Sequence, residues 1–411
     1  MTTNTIDTSI VIIDITVFNS HIVVIGDIIQ GSSAYNSHKL QKGDELISIN
    51  SNAVKGMTLE QVETCFKEDR VVLEVARGMK RIQVPLFKQE ITLQEGRVDT
   101  SYEKVAGGII GVIALHSFYQ GDGVNNSEYD VKEALSKLSF HGKIKALVLD
   151  LRDNRGGFLM QAVKVAGLFI KTGVVVVAKY GDGSLHYFRD LDPSVAYSGP
   201  LIVLVSKETA SAAEIVAQSL KDYGVAIIVG DEHTYGKGSL QMQTVTGNGQ
   251  ETSYYKVTVG EYFGVSGESV QKSGLASDIL VPGSLFEKKI GEEYLEGTIA
   301  KKTISPSFKD TLEDIPSLGK GWYMQYYLPF LQTRSNVLRK QIPGLAKKSK
   351  ERFEKNQNYQ RLLRGERYIV EGREKKTVSE SEANKLLAHY QLKEAIAIAQ
   401  DSEPVQNLSA S

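Results

Sequence analysis

An alternation of apolar runs and amphipathic helical stretches between residues 102 and 229 constrains the fold more than any other feature of the sequence. The apolar runs have the length and β-branched content of buried strands, and the stretches between them repeat with helical periodicity. The predicted strands are residues 109–115, 146–151, 201–205 and 226–229, and the predicted helices are residues 128–138, 159–170 and 212–223. Strands that alternate with helices form largely parallel sheets covered by helices. We therefore predict an α/β core.

The sequences on either side of this core have a different character. Before residue 90, short β-branched runs predict strands at residues 9–13, 22–25, 45–49 and 71–75, and a Thr-x-x-Gln capping box predicts one helix at residues 58–67. After residue 291 the chain is helical and charged, and residues 334–376 hold 14 Lys and Arg against 5 Asp and Glu. We interpret this basic stretch as a solvated helical face, because it is poor in the aromatic residues of a nucleic-acid stacking platform. Residues 406–411 are expected to form a frayed tail.

Charge and cysteine content exclude several functional classes. The 411 residues carry 48 Lys and Arg against 49 Asp and Glu, so the whole molecule has no electrostatic reason to bind nucleic acid or a membrane surface. A single cysteine, Cys65, excludes an intramolecular disulfide framework and a multi-cysteine zinc site. No apolar run reaches the roughly 18 residues of a membrane-spanning helix, and no basic residue precedes Lys39, so neither an integral membrane segment nor a secretory signal is predicted. A fragment of a longer exported precursor remains an alternative.

Three segments at the ends of predicted strands could carry chemistry. Residues 149–157 run from a strand into a Gly-Gly turn, whose backbone could bind an anion or merely complete a strand-to-helix turn. Ser211 opens a helix, and it is either an N-cap or a nucleophile where the helix N-terminus favours developing negative charge. Residues 230–241 hold Lys237 between two glycines, but the spacing is not that of a phosphate-binding loop, so a nucleotide site is not expected. Together the segments could give nucleophile, base and oxyanion hole.

Beyond these three segments, a set of motifs occurs in a characteristic order over most of residues 10–380. It includes Ile-Gly-Val-Ile-Ala-Leu-His-Ser-Phe-Tyr at 110–119, Leu-Asp-Leu-Arg-Asp-Asn-Arg-Gly-Gly at 149–157, Tyr-Gly-Lys-Gly-Ser-Leu-Gln at 235–241 and Tyr-Phe-Gly-Val-Ser-Gly-Glu-Ser-Val-Gln at 262–271. These residues resemble the S41 peptidases, the carboxy-terminal processing or tail-specific proteases. Leu-Gln-Lys-Gly-Asp-Glu-Leu-Ile-Ser-Ile-Asn at 40–50 resembles a PDZ signature.

The resemblance implies a domain organisation. It predicts a PDZ-like domain over residues 1–90, and the given chain could begin inside this domain. It also predicts an S41 peptidase core over residues 91–290. The core is expected to be a parallel or mixed sheet with flanking helices, similar to the crotonase fold. Residues 291–411 are expected to be a helical C-terminal extension with a flexible tail.

The resemblance also assigns roles to individual residues. It places the nucleophile on Ser211, through the Ser-x-x-Glu spacing, and rejects Ser206 and Thr209 nearby. The base falls on Lys237, and Gln241 matches the residue that hydrogen-bonds this lysine. The backbone N–H groups of the oxyanion hole fall on Gly157 and Ala212. Residues that match supporting positions are Gly156, Glu214, Asp222 and Thr234. No metal, nucleotide or other cofactor is implied.

The chemistry of such a dyad makes demands on the lysine. The unperturbed pKa of lysine is near 10.4. For the lysine to act as a base near neutral pH, its pKa must fall to about 7, which corresponds to a change of about 4 kcal/mol in the relative stability of its two protonation states. Residues 230–241 hold no arginine and no second lysine, so burial would have to lower the pKa. This loop is one residue longer than the family's usual form, and His233 within it is an alternative base.

The expected function is that of a serine endopeptidase that cuts unfolded or tail-exposed protein substrates, with a PDZ module that senses or positions the chain. The alternative is a catalytically silent S41-fold protein that binds peptides through the PDZ module. The motivation is that residues 7–11, at the position of the carboxylate-binding loop of a PDZ domain, contain no glycine, whereas this loop usually does. Protein or peptide substrates are the expected partners, without nucleic acid, and a homo-oligomer is left open. The family is usually periplasmic or exported, whereas the missing signal leaves a cytoplasmic location open.

Overall fold

The chain divides into two compact units, Met1–Gly96 and Arg97–Ser411. The structure, a computed structural model, describes residues 13–18, 22–28, 33–41, 43–57, 59–66, 68, 70–78, 80–87, 97–247, 252–372 and 374–403. No helix among these residues combines the length and the apolar character needed to cross a bilayer.

The N-terminal unit is an antiparallel sheet with two short helices. Its elements are β1 (Ile13–Phe18), β2 (Ile22–Ile28), α1 (Ser33–Asn36), β3 (Glu45–Ile49), β4 (Asn52–Ala53), α2 (Leu59–Cys65), β5 (Arg70–Arg77) and β6 (Lys80–Phe87). The strand order is β1-β2-β3-β5-β6, with β4 paired to β3. Alternate residues of β5, such as Val71 and Leu73, are buried, as expected for a strand with one face on a core.

Several sequence predictions for this unit are confirmed. The predicted strands at residues 22–25, 45–49 and 71–75 lie within β2, β3 and β5, and the predicted helix contains α2. Residues 9–12, the capping-box Thr58 and the stretch compared with a carboxylate-binding loop lie outside the described residues. Cys65 ends α2 and is only partly buried.

The C-terminal unit contains the predicted α/β core. Its strands are β7 (Val98–Val105), β8 (Gly108–Leu115), β9 (Ile144–Asp150), β10 (Gly173–Tyr180), β11 (Leu185–Asp190), β12 (Leu201–Val205), β13 (Ile227–Gly230), β14 (Ser239–Gly247), β15 (Thr252–Gly264), β16 (Ile279–Leu280), β17 (Tyr368–Glu371) and β18 (Glu374–Thr377). Its helices are α3 (Ser127–Phe140), α4 (Leu159–Gly167), α5 (Ala212–Tyr223), α6 (Ser317–Tyr326), α7 (Val337–Lys355), α8 (Gln357–Leu363) and α9 (Glu380–Asp401).

The main sheet has the strand order β16-β13-β12-β9-β8-β7. Strands β8, β9, β12, β13 and β16 are parallel, and only the edge strand β7 runs antiparallel, to β8. This confirms the predicted parallel sheet. A second, antiparallel sheet of order β11-β10-β15-β14 has no counterpart among the sequence predictions. Its central pairing joins β10 to β15, and Ala178 lies opposite Tyr262. These residues are far apart in the sequence, so local sequence patterns do not reveal that they pair.

Two hydrophobic cores lie on the two faces of the main sheet. On one face, α3, α4 and α5 pack with the second sheet, and on the other face α7, α8 and α9 cover strands β8, β9, β12 and β13. The predicted C-terminal extension contains helices α6 to α9, as expected, together with the hairpin β17–β18, and α7, α8 and α9 complete the core of the same compact unit. The predicted frayed tail at residues 406–411 lies outside the described residues.

One predicted helix is too long. The structure ends α4 at Gly167, three residues before the predicted end. A Cβ at position 167 would lie 2.5 Å from a carboxylate oxygen of Asp190, so glycine leaves room for the Asp190 side chain of β11 at the end of α4. The prediction for α5 is confirmed, including its termination at Gly224, which has a φ of 71°.

Candidate active site

The three segments singled out in the sequence meet at one edge of the main sheet. They follow β9, β12 and β13, which are neighbouring parallel strands, so their carboxyl ends lie side by side. Backbone hydrogen bonds then join the three loops to each other. The Ala210 N–H donates to the carbonyl of Asn154 at 3.0 Å, and the Tyr235 N–H donates to the carbonyl of Thr209 at 2.9 Å.

The Gly-Gly turn after β9 packs directly against the start of α5. Gly156 has a φ of 100°, and a Cβ placed on it would lie 2.8 Å from the Cβ of Ser211 and 3.0 Å from the nitrogen of Ala212. Gly157 has a φ of 142°, and its Cβ would collide with the carbonyl oxygen of Phe118 at 2.0 Å. Both positions therefore require glycine. In the described part of the chain, the N–H groups of Gly157 and Ala212 donate no hydrogen bond, which leaves them available to a ligand.

Asn154 shapes this turn. Its side chain is fully buried, accepts from the Gly156 N–H at 2.8 Å and donates to the carbonyl of Leu115 at 2.9 Å. It lies within the motif quoted at residues 149–157, which gave it no role. An asparagine two positions before a glycine is a typical side-chain-to-backbone turn signal, and that signal could have identified it.

Ser211 lies at the N-cap of α5 with φ 58° and ψ −117°, a conformation that non-glycine residues rarely adopt. The hydroxyl groups of the two alternative nucleophiles, Ser206 and Thr209, donate hydrogen bonds to other groups. The Ser206 hydroxyl donates to the carbonyl of Arg152, and the Thr209 hydroxyl donates to the carbonyl of Leu151 at 2.7 Å. Both side chains are buried, whereas Ser211 is partly exposed. Strain and access therefore favour Ser211 as the reactive serine.

Glu214 links Ser211 to Lys237 through their backbones. One carboxylate oxygen accepts from the N–H groups of both residues at 2.9 Å, so the two nitrogens are no farther apart than twice that distance. The other oxygen accepts from the Gly236 N–H at 2.7 Å and from the Thr234 hydroxyl. Complete burial raises the pKa of Glu214 to about 7, and the four donors favour its ionised form. The structure thus gives two predicted supporting residues, Glu214 and Thr234, a direct place in the site.

Lys237 is partly buried in the loop between β13 and β14. Gln241 follows on β14, paired with Thr258 next to a register shift, and its side chain is exposed. The predicted hydrogen bond between Gln241 and Lys237 stays a prediction.

Tyr262 is a further member of the site, and it lies within a quoted sequence motif that gave it no role. Its buried hydroxyl donates to the carbonyl of Lys237 and lies 3.1 Å from the carbonyl oxygen of Ser211. Because Tyr262 is 51 positions from Ser211 and lies in the unpredicted second sheet, no local sequence signal indicates this contact.

Two other predicted residues lie away from these contacts. Asp222 is eleven positions beyond Ser211, about 16 Å along α5, and it accepts hydrogen bonds from the backbone and hydroxyl of Ser266. The structure therefore places Asp222 at the far end of the helix and does not bring it to Ser211 and Lys237. His233, the alternative base, directs Nδ1 at the carbonyl of Thr234 at 2.8 Å, and its Nε2 lies 3.6 Å from Glu293. Both ring nitrogens thus face groups other than Ser211.

The described residues contain no group of three or more His, Cys, Asp or Glu side chains placed to hold a metal ion.

Two segments of the chain match models of known protein families. Residues 109–281 match the model of peptidase family S41, and residues 11–76 match the model of the PDZ domain. Residues 109–281 therefore belong to peptidase family S41, and the PDZ match precedes them in the chain. The S41 match contains every predicted site residue, from Gly156 to Gln241.

The chain is similar to particular proteases within this family. It is 31% identical to the tail-specific protease of Haemophilus influenzae over 68% of this chain and 41% of that protein. It is 30% identical to the carboxy-terminal processing protease CtpA of Bacillus subtilis over 61% of this chain and 51% of that protein. The chain thus spans about half the length, or less, of these relatives.

Among solved structures, the photosystem II D1 C-terminal processing protease matches 66% of this chain and 72% of its own, with 27% identity and a TM-score of 0.40. An S41 protease of Bacteroides fragilis matches 68% of this chain and 77% of its own, with 18% identity and a TM-score of 0.44.

Proposed function

We propose that the chain is a serine endopeptidase that hydrolyses peptide bonds with a dyad of Ser211 and Lys237. The observation that carries the proposal is the double link between these residues: the Glu214 carboxylate holds both N–H groups, and the Tyr262 hydroxyl contacts both carbonyl groups. The same edge holds a glycine turn packed on Ser211. Nucleophile, base and oxyanion donors are therefore grouped where one scissile peptide bond could reach all of them.

The proposed reaction has two steps. Neutral Lys237 takes the hydroxyl proton of Ser211 as the oxygen attacks the peptide carbonyl, and the N–H groups of Gly157 and Ala212 stabilise the oxyanion. The resulting ammonium gives its proton to the leaving amine, and an acyl-enzyme on Ser211 remains. A water molecule, deprotonated by the same lysine, then attacks the ester. The ammonium gives this proton to the leaving Ser211 oxygen as the new carboxyl terminus is released, which regenerates the serine hydroxyl and the neutral lysine.

The proposed substrates are proteins with unfolded or accessible C-terminal segments. The similarity to tail-specific and carboxy-terminal processing proteases supports this substrate class, and the PDZ domain supplies a fold that binds extended peptide ends. An exported or periplasmic location, implied by the family resemblance, stays a prediction.

Cleavage of casein, a largely unstructured protein, tests the proposal. We expect wild-type protein to degrade casein and the Ser211→Ala and Lys237→Ala variants to lose about 1,000-fold or more of that activity, because each lacks one half of the dyad. The His233→Ala variant serves as a control and should retain cleavage. The alternative, a silent peptide-binding protein, would leave casein intact even with wild-type protein, and cleavage by either dyad variant would contradict the assignment.

A further inference from the structure

We infer that Tyr262 is a positioning residue for the proposed reaction, because its hydroxyl holds the oxyanion donor of Ala212 in place and fixes that donor relative to Lys237. The inference rests on the proposed function and adds a residue from the second sheet. Tyr262 touches neither the substrate nor the reacting atoms, and it acts through the backbones of Ser211 and Lys237.

The hydroxyl joins the two backbones through a single hydrogen atom. It donates to the carbonyl of Lys237 and lies 3.1 Å from the carbonyl oxygen of Ser211. A phenol has one hydrogen to donate, so the two carbonyl groups compete for it. A shift of either carbonyl therefore weakens its own contact and changes the other.

The contact with Ser211 controls the oxyanion donor through peptide geometry. The carbonyl of Ser211 and the N–H of Ala212 belong to the same planar trans peptide unit, in which the two bonds point in opposite directions. A hydrogen bond that holds the carbonyl from one side thus fixes the direction of the N–H on the other side. This restraint matters here because Ser211 has φ 58° and ψ −117°, outside the favoured regions, and a strained conformation needs surrounding contacts to persist.

A second acceptor role adds to this restraint. The same Ser211 carbonyl accepts the N–H of Ile215 at 3.0 Å, which is the first hydrogen bond of the helix. The carbonyl of Lys237 shares its peptide unit with the N–H of Gly238, which donates to the side chain of Gln271 at 2.8 Å. The Tyr262 hydroxyl therefore adds a further contact to two peptide units that other hydrogen bonds already hold, Ser211–Ala212 and Lys237–Gly238.

Tyr262 is itself rigidly held. Its N–H donates to the carbonyl of Gly238 at 2.8 Å, its carbonyl accepts from the Ser269 hydroxyl at 3.2 Å, and it pairs with Ala178 across the second sheet. The side chain is 1% exposed. Burial raises the pKa of Tyr262 well above its ordinary value, so the hydroxyl stays protonated and remains a donor wherever the enzyme works.

The Tyr262→Phe variant tests the inference, because it keeps the ring and removes only the hydroxyl. With a quenched fluorescent peptide as substrate, we expect kcat to fall about 10-fold or more, since an oxyanion donor loses its alignment. KM should stay within about twofold, since the ground-state complex does not use the donor fully. Tyr359→Phe is the matched control: its hydroxyl is similarly buried and donates to the carbonyl of Pro282, away from the site, so kcat should not change.

A second variant separates positioning from folding. Replacement of Tyr262 by 4-aminophenylalanine keeps a hydrogen-bond donor at the same place and should restore kcat to within about threefold of wild type. An unchanged kcat in Tyr262→Phe, or an equal loss with 4-aminophenylalanine, would overturn the inference while Ser211→Ala stays inactive. Cleavage that survives Ser211→Ala would instead overturn the proposed function, and the role of Tyr262 with it.

Discussion

At position 156, the absence of a side chain lets the turn after β9 touch the start of α5. The backbone there has a φ of 100°, and the Cβ of an alanine would lie 2.8 Å from the Cβ of Ser211. An alanine would thus be strained by its backbone conformation and would also push on the proposed nucleophile. The two effects can be separated, because Gly183 in the turn between β10 and β11 has a similar φ of 86°, and a Cβ there would have no neighbour within 4 Å.

We expect Gly156→Ala to lower kcat/KM about 100-fold or more, because the displaced turn misplaces both Ser211 and the oxyanion donors. Gly183→Ala imposes the same kind of backbone strain without a collision, so it should lower the melting temperature slightly and leave kcat/KM unchanged. Peptide cleavage and thermal unfolding of both variants measure this. Equal losses of activity in the two variants would show that strain alone, and not contact with Ser211, explains the glycine.

The residues of the site that belong to local motifs could be predicted from the sequence. Ser211 and Lys237 stand out at the ends of predicted strands, Glu214 is assigned by the family resemblance, and the structure brings the three together. Tyr262 could not be assigned a role, because its contact depends on the pairing of β10 with β15, and strand pairing across a long separation leaves no periodic signal. The separation of Asp222 from Ser211 follows from the predicted helix at residues 212–223, which carries Asp222 three turns away, whereas the resemblance assigns a role by motif position and takes no account of distance.

Helix α9 connects the C-terminal segment to two of the active-site loops. Its buried Gln391 accepts from Arg152, in the loop after β9, at 3.2 Å. The amide of the same side chain donates to the carbonyl of Val281 at 2.7 Å and lies 3.4 Å from the carboxylate of Asp231, which begins the loop that carries Lys237. Arg152 also donates to the carbonyl of Ala388 on α9 at 2.7 Å. Gln391 thus contacts both loops from the face of the main sheet that α7, α8 and α9 cover.

We expect Gln391→Leu to reduce kcat about tenfold, because the glycine turn and the lysine loop lose a shared support and reacting groups are sensitive to small displacements. It should also destabilise the protein by about 1–3 kcal/mol, since Asp231 and Arg152 lose a buried partner.

Gln218→Leu is the matched control for this prediction. Gln218 is also buried and donates to the carbonyl of Glu268 at 2.9 Å, but it contacts neither loop. Urea unfolding and peptide cleavage are measured for both variants. If Gln218→Leu lost as much kcat as Gln391→Leu, loss of stability rather than loop support would account for the result.

At the scale of the molecule, the alternation of strands and helices predicted the parallel sheet, because strands joined by helices run parallel, but it did not predict the strand order. The antiparallel second sheet was not predicted, because β10 and β15 pair through residues far apart in the chain. The helices after residue 291 were predicted as elements, but their packing was not. They bury residues such as Leu345 and Leu387 in the core beneath the main sheet, so they belong to the peptidase unit.

The central claim, that Ser211 is a nucleophile activated by Lys237, is tested most directly by covalent labelling. Wild-type protein is incubated with a fluorophosphonate that reacts with activated serines, and the labelled residue is identified by peptide mass spectrometry. We predict a single label on Ser211 that is lost in Lys237→Ala and retained in His233→Ala. A label on another serine, such as Ser206, or labelling of Ser211 at the same rate without Lys237, would contradict the account.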